Sequence, residues 1–166
     1  MNKSWIANGF TAANALFGGL SIMMSISGEY HVAAICILIA MAADAFDGRV
    51  ARALGTAGPM GVELDSLSDD ISFGVAAGAL MYSYQLRELG AFGFIPCALL
   101  GAFCAFRLAR FNVKVTSVHG YFEGLPCPTV GVIIACYVLS GVKIWNWLAM
   151  VCVLALAVLM VSEVHY

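Results

Sequence analysis

Every aspartate of the 166-residue chain falls in one stretch: Asp44, Asp47, Asp65, Asp69 and Asp70. From 44 to 69 it reads DAFDGRVARALGTAGPMGVELDSLSD. On a helix, Asp44, Asp47 and Ala51 stand at i, i+3 and i+7, so two carboxylates share a face with a small residue below them. Asp65 and Asp69 form an i, i+4 pair on the helix that follows. Four carboxylates brought together from two antiparallel helix ends repel one another unless cations neutralise them. All-oxygen ligation of that kind suits magnesium, manganese or calcium, and a pair of divalent ions is the natural inference. Gly48 and Gly61 mark places where backbone approaches something bulky, Ala51 keeps a pocket open between helices, and Arg52 supplies charge to a phosphate. Together these residues describe a site for a metal-bound diphosphate whose other end is lipid.

The elements that must position those groups follow from composition. The chain is 62% hydrophobic and 11% charged, with a mean hydropathy of +0.92. That balance lies outside the range of soluble globular domains and predicts an all-α integral membrane protein. Six apolar segments are expected to cross the bilayer, at about 5–26, 31–46, 64–84, 89–106, 124–142 and 144–161, in a single transmembrane domain spanning 1–166. The second ends in Asp44 and Asp47 and the third opens on Asp65, Asp69 and Asp70, so helix ends at one membrane face carry acids that hydrocarbon disfavours. The first segment has Lys3 before its apolar run, as a signal peptide would, but Asn8, Thr11 and Asn14 interrupt the run and a retained helix is expected.

Charge placement orients the bundle. Lys3, Arg49, Arg52, Arg107, Arg110 and Lys114 fall on the side of the N-terminus, and Arg87 and Lys143 on the other. The excess predicts a multi-pass protein of the cell membrane with both termini and the aspartates at the cytoplasmic face, although four of those arginines are also candidate site residues. A net charge of −2 with eight basic residues leaves no stripe for nucleic acid. The six cysteines (Cys36, Cys97, Cys104, Cys127, Cys136 and Cys152) stand singly in apolar stretches and read as reduced packing residues. Trp145 and Trp147 read as interfacial anchors. Glu63 and Asp70 read as solvated helix-end residues, and His31, His119 and His165 carry no expected role.

The pattern D-x-x-D-G-x-x-A-R, eight residues, then G-x-x-x-D-x-x-x-D runs through Asp44, Asp47, Gly48, Ala51, Arg52, Gly61, Asp65 and Asp69. It resembles the signature of the CDP-alcohol phosphatidyltransferase family at every fixed position. Asn8-x-x-Thr11-x-x-Asn14, GVELDS at 61–66, Ser72-Phe73-Gly74, RLARFN at 107–112 and FEGLPCP at 122–128 are similar to the type II phosphatidylserine synthases within it. The resemblance covers Asn8 to Pro128, and many members of the family continue through further helices beyond the point where this chain stops.

The resemblance implies the family's six-helix bundle and transfer of a phosphatidyl group from CDP-diacylglycerol, or its archaeal counterpart CDP-archaeol, to L-serine, with release of CMP. It implies Mg2+ or Mn2+, two ions, held by Asp44, Asp47, Asp65 and Asp69, with Asp69 as the general base. Asp44, Gly48, Ala51, Arg52 and Gly61 would line the CDP-lipid pocket. Arg107 and Arg110, at i, i+3, would present two guanidinium groups to a lipid phosphate or the serine carboxylate, and Asn112 would shape the acceptor side. Membrane lipids and a second copy, as a homodimer, are the implied partners. Two alternatives stand beside this reading: another alcohol acceptor, glycerol 3-phosphate or inositol, and a divalent-cation transporter, since intramembrane acids also mark ion pathways.

Overall fold

The computed structural model describes residues 4–54, 58–115 and 125–162, without the side chains of 4, 6–7, 51–54 and 114–115. Among these, every regular element is helical. α1 is Ser4–Ile26, α2 Tyr30–Leu54, α3 Pro59–Asp69, α4 Ala76–Tyr84, α5 Ala91–Val115, α6 Cys127–Leu139 and α7 Asn146–Val161. A π-helical turn, Asp70–Val75, joins α3 to α4. Its flanking residues Asp69, Asp70 and Ala76 keep right-handed helical angles, so 59–84 is one unbroken rod. The described chain thus forms six rods.

Three of these helices, over Asn8–Ile26, Tyr30–Val50 and Ala91–Val113, are long and apolar enough to cross a membrane. Their outer faces expose Leu16, Met23, Val32, Ile35, Ile39, Phe92, Phe94 and Ile95, a surface that lipid and not water solvates. Trp145 and Trp147 are exposed at the start of α7, with Trp147 against Phe92 at 6.1 Å. Cys36, Cys97, Cys104 and Cys127 are buried free thiols, while Cys136 and Cys152 lie on the outside.

Helix ends differ from the apolar segments in an informative way. α2 runs eight residues past 46, to Leu54, and α5 runs past 106 to Val115. α3 already starts at Pro59, with proline at its first position where a missing N–H costs nothing. Hydropathy marked these helices as ending where charge begins. Asp44, Asp47, Arg107 and Arg110 are instead buried or half-buried against the bundle, with Arg49 facing outward, so the helices continue and these four charges sit inside them.

The π turn lies at the centre of the packing, touched by α1, α5 and α6. Glycines make that approach possible. A Cβ on Gly18 of α1 would strike Ser72, one on Gly131 of α6 would lie 2.7 Å from Phe73 Cδ1, and one on Gly74 would lie 2.9 Å from Cys104 Cβ of α5. Among apolar helices in lipid, close backbone approach of this kind is a main source of association. Phe73 is fully buried with Leu80, Ile37, Leu100, Val130 and Val138 in one apolar core.

The far end of the rod is tied by polar groups. Gln85 Nε2 donates to the Ile144 carbonyl and, at 3.0 Å, to Asn146 Oδ1. Tyr137 Oη donates to Gln85 Oε1 and accepts the Ile144 amide at 3.1 Å. Asn146 Nδ2 completes the network on Glu88 Oε2 at 2.7 Å.

Candidate metal and substrate centre

The acidic site is built where α2 faces α3. Asp44, Asp47 and Asp65 each offer a carboxylate oxygen, and these atoms lie within 4.8 Å of one another. Asp47 is buried, at 5% exposure, and the other two are half-buried. Thr11 of α1 hydrogen-bonds Asp47, as does the Gly48 backbone N–H. Asp47 Oδ2 and Asp65 Oδ1 are buried without a hydrogen-bond partner among the described residues. Orphaned anionic oxygens on converging carboxylates are costly unless a cation joins them. Three oxygen donors with free lone pairs fit a hard divalent ion, and fit a soft thiophilic one poorly.

Asp69, one turn beyond Asp65 on α3, is outside the set of three mutually close oxygens but hydrogen-bonds one of its members, Asp44. It is 8% exposed, and its Oδ1 accepts a hydrogen bond from Asn14 Nδ2 of α1 at 3.1 Å. The structure therefore brings three of the four motif aspartates into one cluster and sets the fourth beside it with a partner of its own. Gly61 is half-buried, and a Cβ there would meet nothing nearer than Asn8 Oδ1 at 3.9 Å. Among the described residues the space beside it is open, as a pocket-lining position requires. The backbone of Ala51 and Arg52 continues α2, but their side chains lie outside those described.

On α5, Arg107 and Arg110 are both half-buried. Arg107 Nη1 contacts Cys127 Sγ of α6 at 3.5 Å, and Arg107 Nε is buried without a partner among the described residues. Asn112 does not end in open space: its Nδ2 donates to Ser66 Oγ of α3 at 3.0 Å. Asp70 corrects the expectation of a solvated helix end. It is half-buried against Cys104, with Oδ1 unpartnered among the described residues, because the rod continues through it into the core. Glu63 is exposed, as expected, and so is His31. His119 and His165 lie outside the described residues.

Sequence reasoning left the partners of Asn14, Ser66, Cys104 and Cys127 unassigned, and gave no sign of the π turn. Each contact joins residues between 20 and 58 positions apart, a separation at which helical periodicity carries no information. The one available signal was the spacing of the polar residues Asn8, Thr11 and Asn14 on a helix without charge.

Fold and site together define a multi-pass membrane protein with an acidic centre held between two helices. Residues 4–161 match the CDP-alcohol phosphatidyltransferase family, and the chain belongs to it. It is 36% identical over 166 residues to the CDP-diacylglycerol–serine O-phosphatidyltransferase of Helicobacter pylori, covering 96% of this chain and 70% of that one. It is 35% identical over 157 residues to the protein of that name from Bacillus subtilis, covering 94% and 86%. Archaetidylserine synthase of Methanothermobacter thermautotrophicus is 38% identical over 155 residues, covering 92% and 65%. The chain is a membrane transferase of phospholipid biosynthesis, which displaces the cation-transporter alternative.

Proposed function

We propose that the protein transfers the phosphatidyl group of CDP-diacylglycerol, or of its ether-linked archaeal counterpart, to the hydroxyl of L-serine. The products are the serine phospholipid and CMP. The observation that carries this reading is the Asp44, Asp47 and Asp65 cluster with Asp69 one turn away. Serine as acceptor, over glycerol 3-phosphate or inositol, is supported by the names of the relatives above. It also fits the modest number of basic residues that the sequence offers around the motif stretches: Arg52, Arg107, Arg110 and Lys114 serve a zwitterion more readily than a second phosphate.

In this mechanism Asp44, Asp47 and Asp65 would hold Mg2+ or Mn2+, with Asp69 at the edge of the set. A bound divalent ion would supply charge neutralisation of the diphosphate and Lewis acidity toward the leaving CMP. Gly48, Ala51, Arg52 and Gly61 line the nucleotide pocket. Asp69 takes the proton from the serine hydroxyl as that oxygen attacks the lipid-side phosphorus. The bond from this phosphorus to the CMP oxygen breaks, and CMP leaves with the bonding pair. Arg107 and Arg110 bind the lipid phosphate or the serine carboxylate, and a cytoplasmic location of the site is supported by the excess of basic residues on this side, a count that rests partly on Arg49, Arg52, Arg107 and Arg110 themselves.

The test is CMP release by the purified protein in detergent with CDP-diacylglycerol and a divalent metal. Serine, glycerol 3-phosphate, inositol and no acceptor are compared. Serine-dependent release that EDTA abolishes is the expected result. Release with a different alcohol alone would keep the chemistry and change the product.

A further inference from the structure

α1 carries no charged residue between Lys3 and Glu29, yet it reaches the acidic centre twice, through Thr11 on Asp47 and through one fully buried amide on Asp69. Asn14 has 0% exposure, and its Nδ2 donates to Asp69 Oδ1 at 3.1 Å. Its backbone carbonyl accepts Ser72 Oγ at 2.9 Å. Ser72 belongs to the π turn that begins one residue after Asp69. One helical turn along α1, Gly18 lets that turn come so close that a Cβ would strike Ser72. α1 and the rod are thus clamped together beside the Asn14–Asp69 bond.

Asn14 Oδ1, by contrast, is buried with no hydrogen-bond partner among the described residues. An amide kept only to join helices would be satisfied at both ends, because an orphaned buried carbonyl carries an uncompensated desolvation cost. Here the amide is directed at Asp69 and its other end is left bare. A neutral N–H donor also suits a carboxylate that must accept a proton: it fixes the orientation without the full opposing charge of a lysine or arginine.

We propose that Asn14 is a positioning residue for the transfer reaction, holding Asp69 Oδ1 so that Oδ2 is aimed at the acceptor hydroxyl. The proposal rests on the reading of Asp69 as the proton acceptor. α1 is then part of the active centre, and the π turn sets the register at which its amide meets the carboxylate. π-helical turns are frequent at functional sites.

The test uses the full chain in detergent with Mn2+, CDP-diacylglycerol and serine. Asn14→Leu keeps the count of side-chain heavy atoms and removes the hydrogen bond; Asn14→Ala does the same with less bulk, should leucine overpack. Either substitution should lower kcat by roughly 10- to 100-fold, as loss of an orienting partner does. The KM for CDP-diacylglycerol and the calorimetric affinity for CDP should stay within about two-fold of the unmodified protein. The double variant with Asp69→Asn should be no slower than Asp69→Asn alone, since a positioning residue has nothing left to position. Unchanged kcat in both single variants would overturn the proposal, as would CDP affinity and thermal stability falling in step with kcat. Losses that multiply in the double variant would remove the role of Asn14 alone. Undiminished kcat in Asp69→Asn would remove the base reading and this proposal with it.

Discussion

Asn112 of α5 donates its amide to Ser66 of α3 at 3.0 Å, and Ser66 is the residue next to Asp65. Ser66 in turn donates to the Val62 carbonyl one turn back, also at 3.0 Å. A residue expected to shape the acceptor side thereby braces the helix that carries one of the three clustered carboxylates. Asn112→Ala should weaken metal affinity by about 10- to 100-fold, the usual worth of a group that orients a ligand. Titration of Mn2+ against CMP release checks it, with activity recovering at high metal.

The triad and Asp69 should separate in their effects. Asp44→Ala or Asp65→Ala removes a carboxylate from the set of oxygens within 4.8 Å and should abolish both CDP binding and turnover. Asp69→Asn should leave calorimetric CDP affinity largely intact while lowering turnover by about 10² to 10⁴-fold, the worth of a general base. Equal loss of CDP affinity in Asp69→Asn would make that residue primarily a ligand.

Two glycines should behave oppositely. A Cβ at Gly131 would lie 2.7 Å from Phe73 Cδ1 and 3.3 Å from Phe73 Cα, whereas one at Gly61 meets, among the described residues, only Asn8 Oδ1 at 3.9 Å. Gly131→Ala should therefore force α6 from the π turn and lower the detergent Tm, at a cost of about 1–3 kcal/mol for overpacking. Gly61→Leu should leave Tm nearly unchanged and weaken CDP binding by filling the pocket. Thermal melts beside CDP calorimetry on both variants decide the matter.

Gln85 gives a control at the other end of the rod. It lies 16 residues from Asp69, about 24 Å along a helix, and joins Tyr137, Ile144 and Asn146. Gln85→Leu strands those groups and should cost about 1–3 kcal/mol. Tm should fall while kcat per folded molecule stays the same, because the substitution leaves the acidic centre untouched.

The sequence by itself determined the class of protein and the acids of its centre. Apolar runs interrupted by aspartates have few physical solutions in a bilayer, and i, i+3 and i, i+4 spacings place carboxylates on common helix faces before any tertiary contact exists. Helix limits were less legible at 46 and 106, because charge facing the bundle interior looks in sequence the same as charge facing water. Only the tertiary structure decided that Asn14 meets Asp69, that Asn112 braces Ser66, that Cys127 meets Arg107, and that a π turn lies beneath them. Those contacts depend on how far each rod slides and turns against the next. That register is set by where glycines permit close approach, as Gly18, Gly74 and Gly131 do here, and the pattern of residues along any single helix does not encode it.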